Sequence, residues 1–288
     1  GDAGKLEWQG GYALVSTTQK SKQGLFLHTA KVIRGTLKQG ANVHAVVDPS
    51  RVETQKHHSA THLLHAALRS TLGTHVAQAG SLVAPDRLRF DFSHGQAVSV
   101  EEIEKIETMV NRWIQADFTV NWKNVPIAEA RKAGAMMLFG EKYGENVRMV
   151  TMGDDSSNIS IELCGGIHVN RTGEIGSFVI TTEESVSAGV RRIEALTGMA
   201  ALQYTQMLRQ NINSLAKQLT SKPDEVPARI DKLQSDLKAS QRESATLRDK
   251  LAAAQTSGGG SSEVKEAGGF KYVVSSIDSL DSNALRTA

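Results

Sequence analysis

Cysteine is almost absent from this chain, and it has no long apolar run and no secretory leader. Cys164 is the only cysteine among 288 residues, so an intrachain disulfide is excluded and a reducing compartment is expected. No apolar run approaches the roughly 18 residues that a membrane-spanning helix needs. The opening GDAGKLEWQGG has neither the basic region nor the apolar stretch of a secretory signal. We therefore predict a cytoplasmic protein with no membrane partner.

The composition is that of a soluble globular protein, with 40% apolar and 22% charged residues. The net charge of +2 excludes no class of partner, but the charged residues are unevenly distributed along the chain. Residues 1–56 carry 8 Lys and Arg against 4 Asp and Glu, whereas residues 57–198 carry 13 against 17. If the partner is a nucleic acid, the N-terminal segment is better placed than the middle of the chain to meet its phosphates.

The first two thirds of the chain predict two domains of an α+β protein. Residues 1–50 contain short alternating runs separated by Gly, Lys and Gln turns, which favours a small N-terminal β-barrel. Residues 51–198 mix helix and strand patterns, including the capping-box pair Ser99 and Glu102 before an amphipathic helix. We interpret residues 51–198 as one α+β domain.

The remaining third changes character. Residues 199–256 carry leucine and isoleucine at spacings of three and four, interrupted by TSKPDEVP, which favours an antiparallel helical hairpin. A single helix of a parallel dimer is the alternative, and the sequence allows self-association through this region or through a larger C-terminal domain. Residues 257–288 are interpreted as a linker followed by a truncated C-terminal α/β piece, with FKYVVSSI as a strand and DSNALRTA as the start of a helix. The chain is therefore expected to be a fragment.

Histidine is concentrated in HHSATHLLHAAL, residues 57–68. On a helix, His58 and His62 lie one turn apart on the same face, which is the usual helical way to present two imidazoles to one zinc ion. His65 lies on that side too, while His57 points elsewhere. Alone, such a pair is weak evidence, because histidine pairs also occur on solvated helix faces.

A second cluster lies in ELCGGIHV, where Cys164 and His168 are separated by two glycines and predict a tight loop after a strand. The joint pattern HxxxH and CxxxH predicts a zinc site formed by His58, His62, Cys164 and His168. Ser59 stands where the zinc-protease motif needs a glutamate, so the protease interpretation fails. Whether the zinc activates water or only organises the site stays open, because three nitrogens and one sulfur would fill a tetrahedral shell.

The segments RVETQKHHSATHLLHAALR, GAMMLFGEKYGENVRMV and ELCGGIHVNRTGEIGSFVI together resemble the editing domain of the bacterial alanyl-tRNA synthetases. The preceding barrel is similar to the one that follows the aminoacylation domain of that family, and the helical region looks like the start of its C-terminal domain. The aminoacylation domain itself is absent, so ATP-dependent activation is not expected. Freestanding editing proteins and threonyl-tRNA synthetases share the core of these motifs.

The resemblance implies a zinc-dependent hydrolase that removes serine or glycine from mischarged tRNA(Ala) at its acceptor end, with no DNA partner. In that family the four motif residues ligate zinc, and the counterparts of Thr61 and Gln78 are associated with substrate recognition and editing. Arg87, Arg89, Arg191 and Arg192 are candidates for holding the acceptor end. Two alternatives remain: a freestanding editing factor that acts in trans, and a structural-zinc module that binds tRNA without catalysis.

Overall fold

The structure is a computed structural model that describes residues 1–21, 23–137, 143–154, 158–258 and 264–273. The chain divides into two compact units, Gly1–Gln206 and Met207–Ala288. The predicted mixture of helices and strands is confirmed, and its sheets are antiparallel. The finer division into domains at residues 50, 198 and 256 stays a prediction.

Among the described residues, the first unit holds three sheets and three whole helices, the second holds one whole helix and one hairpin, and one more helix belongs to both units. In chain order the elements are β1 (Gly4–Trp8), β2 (Gly11–Lys20), β3 (Phe26–Arg34), β4 (His44–Val47), α1 (Ser50–Leu72), β5 (Gln78–Val83), β6 (Leu88–Ser93), α2 (Val100–Gln115), β7 (Thr119–Pro126), α3 (Ile127–Lys132), β8 (Asn146–Gly153), β9 (Asn158–Leu163), β10 (Phe178–Ser187), β11 (Val190–Thr197), α4 (Gly198–Gln218), α5 (Val226–Gly258), β12 (Val264–Ala267) and β13 (Phe270–Val273). Helix α4 begins in the first unit and ends in the second.

The N-terminal segment forms a four-stranded antiparallel sheet in the order β3-β2-β1-β4. The alternating runs YALVST, GLFLHTAKVI and ANVHAVV predict three strands, which overlap β2, β3 and β4. Strand β1 is an additional one that pairs with both β2 and β4. A closed barrel would need β3 to pair with β4, and within the described residues that pairing is not seen. The barrel therefore stays a prediction.

Helix α1 is the centre of the first unit. It packs against helix α2 and contacts strands of the sheet β10-β11-β6-β5. Leu63, Leu64 and Leu68 of this helix are fully buried against Phe90 and Phe92 of β6, as the alternation in RLRFDF predicts. Burying each such side chain stabilises the fold by about 1.5–3 kcal/mol. Burial of these leucines therefore holds helix α1, and with it the polar side chains of the helix, in a fixed position.

Helix α2 begins at the predicted capping box. The Ser99 hydroxyl accepts a hydrogen bond from the Glu102 backbone N–H, and the Glu102 carboxylate accepts one from the Ser99 N–H. The buried residues Ile106, Val110 and Ile114 form the face that packs into the core shared with helix α1. Helix α2 thus packs against helix α1 in this shared core.

The third sheet, in the order β7-β8-β9, carries the second histidine and cysteine cluster at its edge strand. Helix α3 follows β7 and is ended at Gly134, whose φ of +75° is readily adopted only by glycine. Strand β9 contacts helix α1, which brings its last residues to the polar face of that helix. This packing places the two sequence clusters side by side.

In the second unit, the two predicted helical stretches are present as α4 and α5, with a 3₁₀ turn at Pro223–Glu225 between them. The apolar residues expected to form the seam between them are largely exposed, namely Leu208, Leu215, Ile230, Leu233, Leu237, Leu247 and Leu251. The antiparallel hairpin therefore stays a prediction. Within the described residues, no helix combines the length and apolar character needed to cross a membrane.

The composition of TSGGGSSEVKEAGG, residues 256–269, predicts that the linker is flexible, but the structure has regular elements at both ends of this segment. Helix α5 continues to Gly258, and residues 264–273 form the hairpin β12-β13. Gly268 and Gly269 both have positive φ, which is the backbone of a two-residue hairpin turn between strands with right-handed twist. The predicted strand FKYVVSSI is described at residues 270–273. The predicted helix start at residues 281–288 lies outside the described residues.

Candidate metal centre and substrate cavity

Two segments that are distant in sequence meet to form a four-residue cluster. Helix α1 presents His58 and His62 one turn apart, and the loop after β9 presents Cys164 and His168. One nitrogen or sulfur atom from each residue lies within 4.8 Å of those of the other three. The structure therefore brings together the four residues predicted as zinc ligands, and His57 points away, where its Nε2 accepts from the Thr197 N–H.

Cys164 lies between two imidazoles of the cluster. Its Sγ is 3.3 Å from Nε2 of His58 and 3.3 Å from Nε2 of His168. Burial raises the pKa of the Cys164 thiol, but hydrogen bonding with His168 and His58 outweighs that effect and lowers the pKa to about 3. The sulfur is therefore a thiolate, which is the form that ligates metals. Burial also lowers the pKa of His168 to about 4, so its imidazole is neutral, as ligation requires.

A carboxylate joins two histidines of helix α1. Oε2 of Glu162 lies 2.5 Å from Nδ1 of His62, and Oε1 lies 3.1 Å from Nδ1 of His65. Burial opposes the charged forms of this pair, but the mutual attraction raises the pKa of His62 to about 10 and lowers the pKa of Glu162. Nε2 of His62 is buried and has no hydrogen-bond partner within the described residues.

The loop after β9 follows helix α1 so closely that one of its positions must be glycine. A Cβ atom on Gly166 would collide with Cε1 of the His58 imidazole, whereas a Cβ on Gly165 would meet nothing within 4 Å. Arg148 of β8 holds the loop by donating hydrogen bonds to the backbone carbonyls of Cys164 and Gly166. Its guanidinium also lies 4.7 Å from the ring centroid of Trp122, which restricts its position.

Ser59 ties the far end of the loop to helix α1. Its Oγ accepts a hydrogen bond from the Val169 N–H and lies 3.2 Å from Nδ1 of His168. Gln55 donates to the carbonyl of His168 from one turn earlier in the helix. These contacts orient the His168 ring so that its Nε2 faces Cys164. The serine that excludes the protease motif therefore has a positioning role here.

The donor set fits a zinc ion. Three imidazoles and one thiolate are the ligand types of tetrahedral zinc sites. Because the pKa of His62 is raised to about 10, its buried, unpaired Nε2 carries a proton in the absence of a metal, and metal binding would release that proton. The cluster also gathers the negative charge of Cys164 beside that of Glu162, which a divalent cation neutralises. Glu162 on Nδ1 of His62 matches the carboxylate–histidine pairing that orients metal-binding histidines.

A cavity of about 290 Å³ opens on the cluster. His58, His62 and Cys164 line it, and so do Thr61 and Gln78. Thr61 is buried, and its hydroxyl donates to the carbonyl of His57, the local bond that a helix threonine often makes. Gln78 is the first residue of strand β5 and also lines the cavity. The structure thus places both predicted substrate residues beside the predicted metal ligands.

Three residues of the site were not predicted from the sequence, namely Glu162, Arg148 and Gln55. Only Glu162 had a readable signal, because residues two apart on a strand share a face and Glu162 precedes Cys164 by two. Arg148 and Gln55 bond backbone carbonyls of a loop, and such contacts depend on the tertiary fold. The arginines proposed to hold the acceptor end are instead paired within the protein: Arg191 with Glu183, Arg192 with Asp91, Arg89 with Asp91, and Arg87 with Asp86 and Glu194.

Comparison with known proteins gives one family match and a set of relatives that align with almost the whole of this chain. Residues 147–194 match the family described as the second additional domain of threonyl and alanyl tRNA synthetases. The chain is 52% identical to alanine–tRNA ligases of Thermus thermophilus and Deinococcus radiodurans over its whole length, which is 33% of each ligase. It is 45% identical to the alanine–tRNA ligase of Listeria innocua over 99% of its length and 32% of that ligase. The resemblance drawn from the motifs is confirmed, and the chain spans about a third of the relatives it matches.

Proposed function

We propose that this chain, which aligns end to end with a third of an alanine–tRNA ligase, is the editing part of such an enzyme. Its reaction is hydrolysis of the ester that joins serine or glycine to the acceptor end of tRNA(Ala). The observation that carries the proposal is the cavity in which the four-residue metal cluster meets Thr61 and Gln78. A cavity of about 290 Å³ has room for the aminoacyl group and the ester.

The metal is proposed to be zinc, held by His58, His62, Cys164 and His168. When bound, zinc supplies a Lewis acid that polarises water or the ester carbonyl if one ligand yields its position, and otherwise it fixes the geometry of the site. Glu162 holds His62 through Nδ1, and Ser59 lies beside Nδ1 of His168, so both rings keep Nε2 on the metal side.

Thr61 and Gln78 are proposed to contact the aminoacyl group. The Thr61 hydroxyl uses its hydrogen on the carbonyl of His57, so its lone pairs remain available to accept from the substrate. The Gln78 amide offers both a donor and an acceptor. Both residues line the cavity, from helix α1 and strand β5, and so are placed to contact a small polar group bound there.

The need for such a site follows from the size of alanine. An aminoacylation site that accepts alanine cannot strongly reject serine, which only adds a hydroxyl, and it cannot exclude the smaller glycine. A hydrolytic site that hydrogen-bonds the serine hydroxyl leaves polar groups unpaired with alanine and so spares the correct product. Thr61 and Gln78, which line the cavity, would supply such polar groups.

A second candidate function is a structural-zinc module that binds tRNA without catalysis. It is favoured by the donor set itself, because three nitrogens and one sulfur complete a tetrahedral shell and leave no open position. In this case the cavity would be a recognition site only. An editing site hydrolyses the aminoacyl ester, whereas a structural module leaves it intact.

The deciding experiment measures hydrolysis of Ser-tRNA(Ala) and Ala-tRNA(Ala) by purified protein of known zinc content. Rapid loss of serine with alanine retained, at about one zinc per chain, supports editing. Retention of both esters by the zinc-loaded protein, with tRNA still bound, supports the structural module. Cys164→Ala separates the roles further, since lost hydrolysis in a folded protein indicates catalysis and unfolding indicates a structural metal.

A further inference from the structure

His65 shares the cavity with the four-residue cluster but does not belong to it. On helix α1 it lies one turn beyond Thr61 and two turns beyond His58, so the three side chains line the same wall. His65 is only 4% exposed, and its ring packs 5.2 Å from the ring of Phe90, centroid to centroid. The ring is therefore held in place by the core and not by the metal cluster.

The hydrogen bonding of His65 fixes which of its ring nitrogens carries the hydrogen. Nδ1 lies 3.1 Å from Oε1 of Glu162, and an ionised carboxylate only accepts hydrogen bonds, so Nδ1 is the donor. In the neutral imidazole Nε2 is then an acceptor. That Nε2 is buried and has no hydrogen-bond partner within the described residues.

A buried acceptor without a partner destabilises a folded protein unless a ligand or water completes it. We propose that His65 determines specificity by accepting, at Nε2, a hydrogen bond from the side-chain hydroxyl of a seryl group bound in the cavity. This inference rests on the proposed function, because it concerns the substrate of that same site.

The serine hydroxyl is the donor that best explains selectivity. The α-ammonium group and the ribose hydroxyls are common to every aminoacyl ester, so binding them does not distinguish serine from alanine. The methyl group of alanine has no donor and would leave Nε2 of His65 unpaired in the complex. Glycine has no side chain and leaves room for a water molecule that donates to Nε2 in place of the hydroxyl, so its hydrolysis does not depend on a hydrogen bond from the substrate.

His65 also lines a second cavity of about 270 Å³, together with Glu162, Ser160 and Arg69. A water molecule there is the rival partner for Nε2. In that case His65 would only stabilise the fold, and its replacement would affect all substrates alike. The ratio of serine to glycine hydrolysis therefore separates the two roles.

The test compares two substitutions in the full chain. His65→Asn keeps an N–H near the position of Nδ1 for Glu162 but removes the acceptor at Nε2, whereas His65→Gln keeps a polar group near Nε2. We expect His65→Asn to lower kcat/KM for Ser-tRNA(Ala) by about tenfold relative to Gly-tRNA(Ala), the value of one hydrogen bond. His65→Gln is expected to retain part of the preference. His44→Asn, at an exposed position of β4, is the matched control.

Binding of a stable 3′-amide analogue of seryl-adenosine provides a second readout, with the glycyl analogue for comparison. Weakened seryl binding at unchanged zinc content supports the specificity role. Equal losses for the seryl and glycyl compounds, or no loss for either, overturn it. If the unchanged protein hydrolyses neither ester, the proposed function fails, whereas an active protein whose serine preference is indifferent to His65 contradicts this inference alone.

Discussion

Nδ1 of His62 lies 2.5 Å from Oε2 of Glu162, so a carboxylate from strand β9 sets the ring orientation of a histidine from helix α1. Because a carboxylate accepts only, Nδ1 must donate to it, which leaves Nε2 as the nitrogen that would exchange its proton for a metal ion. The other oxygen of the same carboxylate accepts from His65. One buried side chain thus orients both a proposed metal ligand and a proposed substrate contact.

Replacing Glu162 with glutamine is expected to weaken zinc binding by about 10- to 100-fold, because the amide holds Nδ1 of His62 less firmly and donates as readily as it accepts. Competition with a chromogenic chelator measures the affinity directly. Glu104→Gln, at an exposed position of helix α2, is the control and is expected to leave the affinity unchanged. Equal zinc affinities for Glu162→Gln and the unchanged protein would show that the carboxylate does not position this ligand.

The two glycines of the CGGIH loop are expected to respond differently to alanine. Gly166→Ala places a methyl group against Cε1 of His58, so either the ring or the loop must move. We expect this substitution to lower stability by about 1–3 kcal/mol and to reduce zinc affinity. Gly165→Ala meets open space and is expected to behave like the unchanged protein. Urea unfolding and zinc titration of the pair provide the comparison, and similar behaviour of both variants would contradict the close approach of His58.

Much of the candidate site was readable from sequence because its ligands follow local rules. The spacing of His58 and His62 fixes them on one helix face, and the short glycine loop keeps Cys164 near His168. That the two pairs meet could not be derived from spacing. It depends on packing of helix α1 against strand β9, and it was predicted from the ligand chemistry of the joint pattern and from the family resemblance.

The elements that escaped prediction have weak local patterns. Strands β1, β5, β7 and β11 carry charged or small residues and acquire strand geometry from their neighbours, as β11 does between β10 and β6. The β12-β13 hairpin was not predicted, because the composition of VKEAGG is typical of a linker. In the structure, Gly268 and Gly269 form its tight turn. Composition indicates flexibility, whereas turn type depends on the exact positions of the glycines.

Zinc is expected to stabilise the folded chain, because its ligands are brought together only by folding. At a free zinc concentration 100 times the dissociation constant, binding to the folded state alone adds about 2.7 kcal/mol. The midpoint of thermal unfolding should therefore rise on adding zinc and fall on adding a chelator, while magnesium has no effect. His168→Ala removes one ligand and should reduce the shift. A zinc-induced increase of the same size in His168→Ala would show that the stabilising ion binds elsewhere.

The ion pair between Asp91 and Arg192 predicts a pH dependence of stability that is separate from the metal cluster. Nε and Nη2 of Arg192 lie 2.7 and 2.9 Å from the two carboxylate oxygens of Asp91. Hydrogen bonding to Arg192 is the main cause that lowers the pKa of Asp91 from its usual value of 3.8. Because the pKa is lower in the folded than in the unfolded state, the pair stabilises the fold above pH 3.8, and that contribution is lost as the pH falls through the folded-state pKa.

Asp91→Asn is therefore expected to lower stability by about 2 kcal/mol at pH 7, the value of a charged hydrogen-bonded contact. The difference from the unchanged protein should shrink as the pH falls below 3.8, measured by urea unfolding of both proteins across that range. The control is Asp86→Asn, which removes a carboxylate from a far more exposed ion pair with Arg87. It is expected to change the free energy of unfolding little at any pH. A difference for Asp91→Asn that stays constant down to the lowest pH would show that its cost comes from packing and not from the charge of the carboxylate.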